Sequence, residues 1–328
     1  MRRIKRWVRW RGTQRFQRQR LWVALCIVAG ALAMTSLSGS ARPMRATRRP
    51  GKPPVVETRE PGQNARHQGI QAALAPTLVD GFITRTYTDP SGAMMVYYLY
   101  IPPDALATQH TSASKGYPVV LLLHGVGERG NLAQSVAQNR ARLVTNPYVR
   151  LWSSPTVQAY WPSIIIVPQV ASPNRWVDAP PKQGVYSLAP TPTTSLTLAH
   201  EILQVTLAQY ASVVDSHRVY ITGISMGAFG VWDAIERWPQ DFAAAAPVSG
   251  AGDPSQVSAI ATMPIWDFHG ALDTTVPPTA SRAMIAAIAA AGGHPLYTEY
   301  PGAHHDIWVR VYSDHLFLTW LFAQQRAA

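Results

Sequence analysis

Residues 218–230, RVYITGISMGAFG, constrain the fold of this chain more than any other stretch. A β-branched apolar run ends in Gly223-Ile224-Ser225-Met226-Gly227, and a helix-forming run follows. A serine between glycines at a strand-to-helix junction implies a sharp, strained turn that lifts its hydroxyl above the end of a sheet. Side chains two positions to either side of that serine would collide, so both flanks are glycine. The helix that follows aims its N-terminus at the hydroxyl, where it favours developing negative charge. A Ser between glycines can also be a plain turn, but the strand before it and the helix after it point to a nucleophile.

The rest of the chain supplies a sheet for that turn. Residues 82–88 and 93–101 flank Asp89-Pro90-Ser91-Gly92, the signal of a β-hairpin. Short apolar runs follow at 118–123, 163–168, 218–222, 243–248, 264–269 and 296–300. Helical patterns occupy 195–213, 226–238, 279–291 and 307–323. Apolar strands separated by helices predict an α/β fold: a mostly parallel central sheet covered by helices on both faces, preceded by the hairpin. The proline-rich stretch 171–194 reads as a long irregular loop, of the kind that often carries function.

A second glycine motif lies in VVLLLHGVGERG, residues 119–130. Gly125, Gly127 and Gly130 match G-x-G-x-x-G, the dinucleotide fingerprint. That fingerprint should open the first βα unit and be followed about 20 residues later by an acid for the ribose. Here a hairpin precedes the strand, and no Asp or Glu occurs from Arg129 to Val177. No nucleotide cofactor is expected. The elbow gives the loop another task, because a tetrahedral intermediate on Ser225 needs an oxyanion hole. One donor is the N–H of Met226. The other comes from the loop, with Val126 favoured and Gly127 or Gly125 as alternatives. Gly125 and Gly127 would let the backbone approach the substrate. His124 reads as a strand-end histidine that shapes the loop by hydrogen bonding.

A serine hydroxyl needs a base, and the base an orienting acid, in the chain order Ser, acid, His. Asp273, in HGALDTTVP just past the 264–269 strand, is the best-placed acid, with Asp253 second. Asp267 lies within that strand and suits a buried hydrogen bond. YPGAHHDIW offers His304 and His305 as the base, and the chemistry alone does not choose between them. Adjacent histidines fit one metal poorly, so no metal is expected.

Composition bounds what remains. The net charge of +11 is concentrated at the N-terminus: residues 1–66 hold 16 Lys/Arg against 2 Asp/Glu, and the remainder 13 against 16. A nucleic-acid footprint would be a basic patch on the folded body, and the body has no basic run. Residues 21–37, LWVALCIVAGALAMTSL, follow nine Lys/Arg and precede a small-residue stretch ending near Ala41. The pattern fits a cleaved signal peptide or a retained membrane anchor, and hence a periplasmic, extracellular or membrane-tethered protein. The single cysteine, Cys26, lies in that run, so the body has no disulfide or thiolate site. The organisation expected is a basic N-region with signal or anchor at 1–41, a Pro/Arg-rich flexible linker at 42–77, and one catalytic domain at 78–328. The sequence carries no signature of an oligomeric state.

Residues 117–130, 215–230, 242–252, 264–277 and 299–308 together resemble the α/β-hydrolase superfamily. The likeness is to the group of predicted peptidases and phospholipase/carboxylesterase-like proteins, near feruloyl esterases and polyhydroxybutyrate depolymerases. The resemblance spans roughly residues 80–325. It implies a triad of Ser225, Asp273 and His305, because the histidine before the Asp of the G-x-x-H-D-x-W-like segment is the base in that group. It implies that Glu128 and Arg129 form an ion pair holding the oxyanion loop. Trp176, after the strand containing Pro168-Gln169, would line the substrate pocket or pack the loop. Large aromatics such as Tyr160, Trp161 and Trp308 would suit an apolar acyl group, or simply the core. The implied function is an exported serine hydrolase acting on a small or oligomeric carboxylic ester. The alternatives are a peptidase of short peptides and a catalytically silent, envelope-tethered binding module.

Overall fold

The computed structural model describes residues 81–106 and 116–327. The expected N-region, the segment 21–37 and the linker lie outside the described residues. Eight strands form one sheet: β1 (Phe82–Thr88), β2 (Met94–Tyr100), β3 (Tyr117–Leu123), β4 (Ile164–Gln169), β5 (Val214–Ile224), β6 (Ala244–Val248), β7 (Trp266–Gly270) and β8 (Leu296–Tyr300). Their spatial order is β1-β2-β4-β3-β5-β6-β7-β8. The hairpin β1–β2 joins antiparallel to β4, and every pairing from β4 to β8 is parallel. Asp89 makes the hairpin turn by accepting the N–H groups of Ser91 and Ala93, with Gly92 at φ 90°.

Both faces of the sheet are buried, as apolar strands require. In β3, Val119, Leu121 and Leu123 enter one core, and Val120 and Leu122 enter the other. This is the two-residue period of an extended chain. The first core packs under α4 (Thr194–Gln209), α5 (Met226–Arg237) and α6 (Thr279–Ala290). The second packs under α1 (Val136–Val144), α2 (Pro147–Ser153), α3 (Pro155–Tyr160), α7 (Trp308–Tyr312) and α8 (His315–Ala323).

Two differences from the sequence reading have local causes. The helix expected over 307–323 is two helices, because Asp314 turns to accept the Leu316 N–H and caps α8. The run α1–α3 is not among the helices expected from the sequence, and Pro147 and Pro155 lie within it. Both prolines occupy the first turn of a helix, where the missing N–H costs nothing. Ser135 and Gln138 form a capping box on α1.

Candidate active site

β3, β5, β6 and β7 run parallel and deliver their carboxyl ends to one edge of the sheet, the usual place for ligands in an open α/β sheet. At the end of β5, Ser225 has φ 52° and ψ −119°. Its N–H is held by the Val248 carbonyl at 2.9 Å. The flanking glycines are obligatory. A Cβ on Gly227 would lie 2.0 Å from the Leu123 carbonyl oxygen, and one on Gly223 2.7 Å from that of Gly227.

Three sequence-predicted residues meet here. His305 Nε2 lies 2.8 Å from Ser225 Oγ, and His305 Nδ1 lies 2.6 Å from Asp273 Oδ2. Asp273 Oδ1 accepts the N–H groups of Thr275 and Val276 at 2.8 and 3.0 Å. Burial alone would raise the Asp273 pKa. Hydrogen bonds from His269, His305 and the Val276 N–H outweigh that and hold it well below the usual carboxylate range. The carboxylate can only accept, so Nδ1 of His305 carries the proton and Nε2 is left to accept from the Ser225 hydroxyl. An imidazole so oriented can take the hydroxyl proton as the oxygen attacks a carbonyl.

His304 is the other histidine of the pair. It is exposed, and its Nδ1 donates to the Leu272 carbonyl at 3.0 Å, away from Ser225. That bond and Leu272 N–H to Ala303 O, 2.8 Å, strap the loop of the acid to the loop of the base. Asp253 is occupied elsewhere, accepting the N–H groups of Leu188 and Ser255 and so fastening the 171–194 loop. Asp267 is wholly buried, but the hydrogen bond expected for it is missing: neither carboxylate oxygen has a partner of good geometry. Burial pushes its pKa to about 7, opposed by the nearby Ser281 hydroxyl and His269.

The loop expected to form the oxyanion hole stands beside the elbow. The N–H groups of Met226, Val126 and Gly127 have no acceptor among the described residues. The Gly125 N–H faces the Glu128 carboxylate, whose pKa burial raises and this N–H helps to lower. Above Gly127 the space is open, for a Cβ there would meet nothing within 4 Å. His124 is buried, its Nε2 accepting the Val170 N–H at 3.0 Å and its Nδ1 lying 2.6 Å from the Gly125 carbonyl. Burial lowers its pKa to about 4, so it stays neutral and serves the loop's shape.

Two expectations for this region are corrected. Trp176 does not line a substrate pocket: it is fully buried, packed on Gly230, and donates Nε1–H to the His124 carbonyl at 2.9 Å. Glu128 and Arg129 do not pair with each other. Glu128 accepts from Asn146, and Arg129 donates to the carbonyls of Val126, Pro173 and Asn174. The ion pair is replaced by two separate ties, because the side chains point to opposite neighbours of the loop. Of the aromatics, Trp308 meets the His305 ring edge-on at 5.6 Å. Trp161 stacks on Phe322 ahead of β4, at the amino-terminal edge of the sheet.

Sequence reasoning missed two contributors. Ser249, just past β6, has φ 57° and donates its hydroxyl to the His305 carbonyl at 3.1 Å. His269, on β7, approaches Asp273 from behind at 3.2 Å. The only sequence signal for His269 was its place two residues after Asp267, on the same strand face. A cavity of about 840 Å³ opens between the hairpin and residues 130–132, and none of the predicted site residues lines it. Among the described residues no group of three His, Cys, Asp or Glu is placed to hold a metal.

A strained serine elbow at the carboxyl edge of a mostly parallel sheet, with an acid and a histidine arriving from later loops, defines the class of fold: the chain has the α/β-hydrolase fold. The sequence profile of the dienelactone hydrolase family matches residues 153–311. A thermostable esterase of known structure is similar over 76% of this chain at 31% identity, with a TM-score of 0.64; the chain spans 64% of that esterase's length. A ferulic acid esterase (17% identity, TM-score 0.52, 74% of this chain and 96% of that one) shares the fold. So does a feruloyl esterase module from Clostridium thermocellum (15% identity, TM-score 0.51, 78% of this chain and 93% of that one). A comparison with curated proteins finds no match.

Proposed function

We propose that the protein is a serine esterase that cleaves carboxylic esters through an acyl-enzyme on Ser225. The carrying observation is the unbroken file from Ser225 Oγ through His305 to Asp273, at 2.8 and 2.6 Å. As Ser225 Oγ attacks the ester carbonyl carbon, its proton passes to His305 Nε2. The carbonyl π pair moves to oxygen, and the resulting oxyanion is received by the N–H groups of Met226 and Val126. When the intermediate collapses, the C–O bond to the alcohol breaks and His305 returns the proton to the departing alkoxide. Water then attacks the acyl-enzyme with His305 as base, releasing the acid and restoring Ser225. Asp273 holds the imidazole in the tautomer that both halves need.

An ester is preferred to a peptide because an alcohol leaves with less help than an amine. The 31%-identical esterase supports the same side. We also propose that the basic N-region and residues 21–37 direct the chain out of the cytoplasm, as a cleaved signal or a retained tether.

Fluorophosphonate labelling of wild type, Ser225→Ala and His305→Ala tests the reaction, with parallel assays on p-nitrophenyl esters and a peptide anilide. Labelling is expected in wild type alone. Ester turnover should fall by about 10⁴-fold or more in either variant. Faster anilide than ester turnover would move the reading to a peptidase. A folded wild type that takes no label would leave a silent binding module.

A further inference from the structure

His269 is fully buried, and neither the hydrolytic steps nor the oxyanion loop uses it. Its Nε2 lies 3.2 Å from Asp273 Oδ2 and 3.0 Å from the Val276 carbonyl. Both partners are acceptors, so Nε2 carries a proton and the ring is the Nε2–H tautomer or the imidazolium. Its Nδ1 lies 2.7 Å from Ser281 Oγ on α6, which fixes the ring from its other side. Asp273 Oδ2 is therefore approached by two imidazoles, His305 from the site and His269 from the core.

Asp267 precedes His269 on the same face of β7, and Asp273 follows in the loop. Glu299 is its register partner on β8 and is itself paired with Arg282 of α6 at 2.6 Å. Burial disfavours a charged His269 ring, but the hydrogen bond to Asp273, the charge of Asp267 and the Val276 carbonyl together raise its pKa.

We infer that His269 is a positioning residue for the proposed esterase reaction: its Nε2–H, held by the Val276 carbonyl at 3.0 Å, also lies 3.2 Å from Asp273 Oδ2, and from there it steadies that carboxylate and sets how much of its negative charge His305 receives. The inference rests on the reading of Ser225, His305 and Asp273 as the reacting file. Losing the second donor concentrates the charge of Oδ2 on His305. The His305 imidazolium is then stabilised, and the base form is reached only at higher pH. It also leaves Asp273 held only by the N–H groups of Thr275 and Val276 and by His305. A ring that merely filled space would do neither.

The test compares His269→Asn with His269→Gln. The Asn amide stops short of Oδ2, whereas the Gln amide reaches the place of Nε2. For folded His269→Asn, kcat is expected to fall about tenfold or more, the size typical when the partner of a functional side chain is lost, with KM little changed. The acidic limb of kcat/KM and the NMR titration of His305 should both move up by about half a pH unit or more. His269→Gln should restore both. Unchanged titration in folded His269→Asn overturns the inference, as does a fall in melting temperature with no change in the pH limb. Should His269→Asn not fold, the nitrogen-15 spectrum of the wild type decides: a coupling across a hydrogen bond from His269 Nε2 to the Asp273 carboxyl carbon supports the inference, and a bare Nε2 or a coupling to the Val276 carbonyl alone overturns it. The NMR titration needs no turnover. A wild type that takes no fluorophosphonate label refutes the esterase reading, while the titration still reports on His269.

Discussion

Ser225 sits in a backbone conformation that costs a non-glycine residue about 1–3 kcal/mol. Its N–H is bonded to the Val248 carbonyl, and its glycine neighbours lie against the Leu123 carbonyl and each other. The strain is local, so it was readable from five residues. The roles of other glycines were not. Gly227→Ala should destabilise the protein by on the order of 3 kcal/mol or more, since backbone must move to admit the methyl group. Gly127→Ala should leave thermal stability unchanged, because nothing lies within 4 Å of its added carbon. Melting temperatures of the two variants check the contrast, and equal losses would refute it. Two glycine motifs that look alike in sequence thus hold a glycine that packing demands and one that faces open space.

α5 is buried along nearly its whole length, including two acids. Asp233 is neutralised by Arg237 one turn on, at 2.5 Å. Glu236 has no cation of its own: one oxygen accepts the Asp253 N–H and the other is unpartnered. Burial pushes its pKa from 4.5 to about 9, opposed by the Asp253 N–H. Between these values the unfolded carboxyl has lost its proton while the folded one keeps it, so stability must fall as pH rises through this window. Glu236→Gln keeps an acceptor for Asp253 and needs no proton. It should raise stability by on the order of 2 kcal/mol at pH 8 and flatten the decline between pH 5 and 9, as denaturant unfolding at several pH values would show. An equal slope in both proteins would contradict the burial of an unpaired carboxyl. Asp314→Ala, at the break between α7 and α8, should cost about 1 kcal/mol through the lost Leu316 cap. That break was invisible to periodicity, because the apolar pattern runs on through residues 313–314 and only the aspartate marks the new start.

For the whole molecule, the charge division between the first 66 residues and the rest carries the export proposal. Fractionation of bacterial cells making the full chain should place labelled protein in the periplasm, medium or membrane. Removal of residues 1–41 should keep it in the cytoplasm. Retention of the full chain in the cytoplasm would refute the reading of residues 21–37. The parallel sheet, its hairpin and the positions of six core strands were legible from sequence, because each depends on apolar runs and turn residues close together in the chain. So was the meeting of Ser225 and Asp273 with one histidine of the 304–305 pair, since the residues expected as nucleophile, acid and base follow particular strands. The choice of His305 over His304 needed a family resemblance, and its cause appears only in the fold, where the Leu272 carbonyl turns His304 outward. The burial of Trp176, the separate ties of Glu128 and Arg129, the second imidazole at Asp273 and the unpaired Asp267 were decided by tertiary structure alone. Each depends on which groups from distant segments come within about 3 Å in a densely packed interior, and no local pattern of residue types encodes that meeting.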